Sequence, residues 1–430
     1  MWLGESVASN PSLIGRQNGG NLRVETITSV VAFRALEREW LELESRLPRL
    51  PFLSFDWFAL WWEHLAEQRL LLKDKLNLLT FRDARQRLVG VAPLMLTQYP
   101  GFDLFSTRQL QLFGADPNLT EVRSLVAPAE EQARVYAALM EHLRGHAQDW
   151  DWLMLTGVPD DPELTSVIDR PFPRVEWLRT VPDYTLPLPA TFAEFKSSRS
   201  RNIKESLRKC YNSLKRDGLT FQIRVLSEVL DVEPALDEFF RLHRARAELS
   251  DTIEHNDAFA SQRSRKFLRA FCRRAALRGR LRLFQMLIDD RVIATRIGFV
   301  CQSSLYLYYS GYEPAFRRYS VMTTLLAEAV RYAIERELTS VNLSTGRDVA
   351  KLRWSPDETN YRDALVISPS LRGAVAHGVC SFAKRTLQAA KERSSVFEVL
   401  GRRAGSGRPP GLGPSVRPEP EPELCGFGGE

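Results

Sequence analysis

One order of segments occurs twice along this chain, and that repetition constrains the fold more than any other feature. In the first half, residues 76–81 read as a strand, the polar turn 83–87 follows, and 88–96 is its hairpin partner. Residues 108–113, closed by Gly114, form a further short strand; a helix over about 130–144 leads into an apolar strand at 152–155. In the second half, 281–288 turns at Asp289 and Asp290 into 292–300, and a turn at 302–304 leads into 305–309. Short polar connections between alternating runs are what antiparallel hairpins require. Val321, Leu325, Leu326, Ala329, Val330, Ala333 and Ile334 then fall on one stripe at the 3.6-residue period of a helix packed on a sheet. Two last strands follow at 341–345 and 361–368. The expectation is an α/β (α+β) fold of two tandem domains, each a mixed, mostly antiparallel sheet flanked by helices.

Between the repeats lies a helical stretch, 192–216, in which Ile203, Leu207, Tyr211 and Leu214 keep near-helical spacing. Gly218 stops it, a strand follows at 220–225, and two helices are expected at 229–249 and 259–277. A closing helix is expected at 381–393. The last residues are rich in Pro and Gly, with too little apolar surface to offset the entropy of ordering. The division is therefore a loose tail at 1–20, domains at 21–185 and 186–402, and a disordered tail at 403–430.

The remaining composition mainly excludes. No run of about 18 uncharged apolar residues exists, so no membrane-spanning helix is expected. The opening residues lack the basic flank and apolar run of a secretory signal. Five scattered cysteines without a CxxC pair argue against a disulfide framework or a zinc site and fit the reducing cytoplasm. Six histidines include no HExxH, so no metal is expected. The net charge of +6 is modest but clustered: from Lys196 to Arg216 there are eight Lys/Arg and one acid, Glu205. Such a cluster suits a phosphate-rich ligand such as coenzyme A, tRNA or an anionic lipid surface; its plainer reading is a solvated helix face.

From about residue 186 to 368 the chain resembles the GNAT-superfamily acyltransferase domain of cellulose-biosynthesis proteins of the CelD (BcsL) type, relatives of the Fem-type aminoacyl transferases. The stretches that carry the resemblance are SRSRNIKESLRK from Ser198, FRLHRAR from Phe240, VIATRIGF from Val292, YSGYEPAFRRYS from Tyr309 and GRDVAKLRW from Gly346. The upstream FLSFDWFALWW from Phe52 looks like the opening segment of the same family. The resemblance implies transfer of an acyl group from a thioester, acetyl-CoA or another acyl-CoA, to an amine on a small molecule or envelope precursor. It also implies a link to polysaccharide or cell-envelope synthesis. Two alternatives go with it: a Fem-type transferase using aminoacyl-tRNA, and a non-catalytic scaffold in exopolysaccharide assembly.

In such domains the donor diphosphate rests on backbone N–H groups at a helix start, where unpaired donors and the helix dipole favour phosphate. By resemblance that loop is Arg317, Arg318, Tyr319, Ser320 and Val321. Arg317 fits the superfamily pattern, whereas Ser320 and Met322 stand where small residues or glycine are usual. Ser320 is also a suitable N-cap residue. Attack on a thioester needs a proton acceptor and donors for the developing oxyanion. His243, in the family's Leu-His-x-x-Arg-like segment, is the candidate base. Tyr312, where the strand enters the donor loop, is a candidate acid for the leaving thiolate. Lys351, in the terminal Lys-x-x-Trp motif, is a candidate anion-holding group, with Trp354 read as core. Cys301 is read as structural, and Glu254, His255, Asn256 and Asp257 as a polar cluster near the acceptor.

Overall fold

The computed structural model describes residues 22–69, 72–99, 106–116, 118–249 and 256–379. The first half contributes β1 (Arg23–Ile27), β2 (Gln68–Arg69), β3 (Leu72–Leu76), β4 (Leu78–Arg82), β5 (Leu88–Ala92), β6 (Leu94–Tyr99), β7 (Thr107–Leu112), β8 (Trp152–Pro159) and β9 (Val175–Pro187). The second contributes β10 (Phe221–Leu226), β11 (Leu281–Ile288), β12 (Arg291–Cys301), β13 (Ser304–Tyr312), β14 (Ser340–Thr345) and β15 (Asp357–Ile367). Twelve strands form one sheet in the order β10-β11-β12-β13-β14-β9-β15-β8-β7-β6-β3-β2, and β1-β4-β5 form a small second sheet. Among the described residues every pairing is antiparallel except two, β7 with β8 and β13 with β14, which occupy corresponding places in the two halves. The expected mixed, mostly antiparallel sheets flanked by helices are therefore present. They are fused through β15, which lies between β9 and β8.

The hairpin expected at 76–81 and 88–96 differs in detail, because each of its strands breaks and changes sheet. Pro93 has no N–H to give to a ladder. Its carbonyl instead accepts from Phe113 N at 2.9 Å, and Asn77 N donates to Leu94 O at 3.1 Å. The segments on one side of these breaks, β4 and β5, join the small sheet, while β3 and β6 stay in the large one. Strands β1 and β9 carried no sequence expectation. The three interior helices come out as Gln132–Gly145, Val232–Ala247 and Gln262–Leu277. The expected helix at 381–393, the tail 403–430 and the tail 1–20 lie outside the described residues.

The halves are held together by aromatic packing. Helix Phe55–Leu65 lies against helix Gln262–Leu277 with Trp57 edge-on to Phe267 at 4.9 Å and to Phe271 at 4.7 Å. Trp57 is fully buried, and its indole N–H donates to Thr120 Oγ1 at 3.1 Å. Burying one such side chain contributes roughly 2–3 kcal/mol. On the other face, helix Val321–Glu335 packs Leu325, Ala329 and Val330 into a core shared with Phe284, Met286, Leu305 and Leu307. Helix Arg201–Arg216 closes that core with Ile203, Leu207 and Leu214. Among the described residues no helix is long and apolar enough to cross a membrane.

Candidate functional site

The site begins with an irregularity in β13. Arg296 pairs with Ser310 and Gly298 with Leu307, so Tyr308 and Tyr309 together face Ile297 alone. A bulge of this kind re-aims side chains and ends regular pairing. On one face β13 presses against helix Val232–Ala247: a Cβ on Gly311 would lie 2.4 Å from His243 N. On its β14 side, β13 pairs only from Ser304 to Tyr306, opposite Ser340 to Asn342, and then runs on to Tyr312. Just past Asn342, Ser344 has φ +73°, a left-handed conformation that costs a non-glycine residue energy.

Beyond Tyr312 the chain makes the 3-10 turn Pro314–Tyr319 and enters helix Val321–Glu335 through Ser320, at φ 50° and ψ 45°. Ser320 therefore occupies the N-cap position without capping: its hydroxyl accepts no helix N–H. Its carbonyl takes Thr323 N at 2.9 Å, and its own N–H donates to Arg317 O at 2.9 Å. Among the described residues no acceptor lies against the N–H groups of Val321 and Met322. The first turn holds no acid, and Arg317 and Arg318 immediately precede it. Arg353 binds the turn from the side, donating to Thr323 Oγ1 at 2.9 Å and to Ser206 Oγ of helix Arg201–Arg216 at 3.3 Å.

Where β13 and β14 stop pairing, a polar cluster gathers from both halves. The loop after β7 brings Glu121, whose carboxylate accepts from the Tyr306 hydroxyl. Asn342 Nδ2 donates to Asp183 Oδ2 at 2.6 Å, while Asp183 Oδ1 is buried without a partner among the described residues. Burial pushes Glu121 up to about 7, against the pull of Tyr306 and Lys351. Burial likewise pushes Asp183 up to about 6, with Asn342 and Lys351 opposing. Lys351 stands on the short helix Val349–Leu352 and donates to Thr345 O at 2.6 Å. Burial lowers its pKa, and Glu121, Asp348 and Asp183 work the other way. Burial, reinforced by Arg246, lowers Arg296 to about 10. A carboxylate near neutrality beside a cation and a phenol is equipped to take up a proton.

Of the residues singled out from sequence, Lys351 enters this cluster. Tyr312 ends β13 on the route to the helix start, with the Arg246 guanidinium 5.8 Å from its ring centre. His243 is buried under the bulge, stacked on Phe239 at 5.4 Å with Tyr309 edge-on at 5.4 Å. Its Nδ1 lies 3.0 Å from Ser310 O, which makes it the donor, and its Nε2 is 3.7 Å from Asp257 Oδ1. Burial lowers the His243 pKa. Trp354 is buried in the second core. Burial pushes the Cys301 thiol up to about 12, which disfavours a nucleophilic thiolate. Asn256 is exposed, and Glu254 and His255 lie outside the described residues. Sequence reasoning missed Glu121, Asp183, Tyr306 and Arg296. The usable signal was the run Leu305-Tyr-Leu-Tyr-Tyr, since buried phenols need acceptors.

A cavity of about 420 Å³ lies elsewhere, between residues 41–56 and the 278–280 turn, and two of its arginines are paired with acids. Arg280 pairs with Glu44 at 2.6 Å, and Arg278 pairs with Asp56. Among the described residues no three His, Cys, Asp or Glu side chains are grouped as a metal site.

Residues 198–352 match the family described as an acetyltransferase (GNAT) domain, a span covering the basic helix, the bulged strand, the helix start and Lys351. No curated protein matches the chain. Among solved structures, FemX is similar with a TM-score of 0.52 at 11% identity, over 79% of this chain and 96% of its own. The C-terminal domain (DUF2156) of a putative lysylphosphatidylglycerol synthetase from Agrobacterium fabrum aligns with a TM-score of 0.46 and 12% identity, over 82% and 95% of the two chains. A tandem GNAT protein from the clavulanic acid biosynthesis pathway aligns at 0.42 and 11%, over 81% and 99%. The likeness to FemX is one of fold.

Proposed function

We propose, on the premise of a GNAT-type domain at residues 198–352, that this protein transfers an acyl group from a thioester to an amine. The observation that carries this reading is a coincidence in space: β13 loses its β14 partner on the approach to a helix start whose first two N–H groups are unclaimed. Acetyl-CoA is the donor we assign, with its phosphates on Val321 and Met322 N–H and flanked by Arg317 and Arg318. The arm of the donor follows the unpaired edge of β13 toward the cluster. The acceptor is a primary amine on a small molecule or envelope precursor, consistent with the resemblance to cellulose-biosynthesis acyltransferases, and the reaction is cytoplasmic.

The amine nitrogen attacks the thioester carbonyl carbon, the C–S bond breaks, and the thiolate leaves. Glu121 receives the proton released by the amine; with a pKa of about 7 it is substantially ionised at neutrality. Lys351 holds that carboxylate in its charged form when the proton departs. Tyr312 returns a proton to the thiolate. His243, its Nδ1 committed to Ser310 O, fixes the bulge and acts as a positioning residue.

Calorimetric titration with acetyl-CoA tests the donor site. Wild type is expected to bind. Ser320→Glu, which places a carboxylate where phosphate would rest, is expected to bind no measurable acetyl-CoA while melting within a few degrees of wild type. Equal affinity in the two proteins would refute the assignment.

A further inference from the structure

Helix Arg201–Arg216 is buried along one side through Ile203, Leu207, Cys210 and Leu214 and turns its charged side outward. Arg201, Lys204, Arg208 and Lys215 recur at steps of three, four and seven residues, which places them along one ridge, with Lys209 beside it. All five are exposed. Arg208 is 3.6 Å from Glu205, the only acid within the helix; no ion pair ties Arg201, Lys204, Lys209 or Lys215 among the described residues. From Arg201 to Lys215 the basic ridge is about 21 Å long. A single small ligand at the helix start does not need so extended a surface.

The helix that carries the ridge is tied to the proposed donor site at two points. Ser206, in mid-helix, accepts from Arg353, which also donates to Thr323 in the first turn of the donor helix. At the far end, Tyr319 of the donor loop donates to Asp217 Oδ2 at 2.9 Å. Ser206 and Asp217 lie on the flank of the helix away from the ridge, so one helix diameter, roughly 10 Å, separates the ridge from the donor loop. We infer that the acyl group can also arrive on an acidic carrier protein, as a thioester on a phosphopantetheine arm, with the carrier docked on this helix. This inference rests on the acyltransferase reading above.

Three features favour such a partner. The two unclaimed N–H groups at Val321 and Met322 suit the single phosphate of a phosphopantetheine arm. The helix presents no exposed aromatic ring on which a nucleic acid base would stack: Tyr211 is half-buried, with its hydroxyl on Glu328. It also lacks exposed large apolar side chains that would enter a lipid interface, since Ile203, Leu207 and Leu214 are buried. An acidic protein surface requires neither rings nor apolar anchors, only complementary charge.

The test measures binding of an acetyl-loaded acyl carrier protein, its apo form lacking the arm, acetyl-CoA, bulk tRNA and phosphatidylglycerol vesicles to wild type and to a Lys204→Glu, Lys215→Glu double variant. The acetyl-loaded carrier is expected to bind wild type more tightly than the apo form, and more weakly as salt rises. It should lose about tenfold in affinity in the double variant. Acetyl-CoA affinity should be the same in both proteins. If acetyl-CoA binds and the carrier does not, or if the carrier ignores the substitutions, this inference is overturned and the acyltransferase reading stands. Helix-dependent binding of tRNA or vesicles without carrier binding overturns it equally. If neither thioester binds, the donor site itself is misassigned.

Discussion

The two halves share an element order but differ at the place where the proposed donor would bind. In each, a strand leading out to the main helix pairs in parallel with the next strand over only three residue pairs: β7 with β8, β13 with β14. In the first half the space beyond is filled by the half's own loop. Thr156 Oγ donates to Arg123 O at 2.9 Å, and a Cβ on Gly157, at φ +63°, would lie 2.3 Å from that same carbonyl. The helix that follows, Gln132–Gly145, is preceded by a 3-10 turn carrying Glu130 and Glu131, paired with Arg46 and Arg134, which put negative charge just before the positive end of its dipole. In the second half the corresponding helix start has arginines before it in place of those acids. The displaced loop of the first half also has a second role. It sends Glu121 to Tyr306, Leu119 O to Tyr308 and Asn118 O to Tyr309, walling the second half's site. On the proposed reading, one half holds the donor and the other walls its site.

The largest effect that would test this division of roles comes from Glu121→Gln. Loss of a general base typically costs about 10²–10⁴-fold in turnover. The variant should keep its acetyl-CoA affinity, and the acid limb of the wild-type pH profile, rising through about pH 7 as Glu121 ionises, should disappear. Stability runs the other way. The folded state holds Glu121 above its ordinary 4.5, so its contribution is complete below that value and is lost as pH rises through about 7. Melting profiles of Glu121→Gln should therefore decline less than wild type between acid and mildly alkaline pH. An unchanged pH–rate profile would place the base elsewhere and make the first half a passive wall.

Gly157→Ala addresses the filled gap of the first half. The new methyl group meets a backbone carbonyl that no side-chain rotation can clear, at a left-handed φ. The expected cost is about 2–4 kcal/mol, read from denaturant unfolding. A cost near zero would mean that the loop is loosely seated and that the two gaps differ less than their hydrogen bonds suggest.

Much of the fold was legible because period and turn chemistry are local. The Asp289-Asp290 hairpin has both residues at positive φ, and the stripe from Val321 to Ile334 is buried as a stripe should be. The assignment of residues 317–321 as the donor loop came from resemblance, not from period or turn chemistry. What sequence could not supply was anything set by register between distant segments. Asn77 and Pro93 divide apparently continuous strands between two sheets, a consequence of where the small sheet closes. Glu121 lies in a segment without period, 185 positions from Tyr306, and nothing local signals that a carboxylate there will lose its water. His243 illustrates the converse. Its motif was readable, but its committed Nδ1 and its aromatic surroundings are products of packing.

The smallest effect sharpens the comparison at Ser320 itself. A serine at φ 50° is held in a region that only glycine enters without penalty, and its hydroxyl gains no capping bond in return. Ser320→Gly should therefore stabilise the protein by about 1 kcal/mol, provided the flexibility glycine adds to the unfolded chain does not cancel the relief. The same substitution removes the Cβ beside the Val321 and Met322 N–H groups, so acetyl-CoA should bind at least as tightly as to wild type. A gain in stability with a loss of affinity would mean that the hydroxyl itself contacts the donor. The strain would then be a feature of donor recognition, one that the first-half helix, entered through Glu131 in a right-handed conformation, does not share.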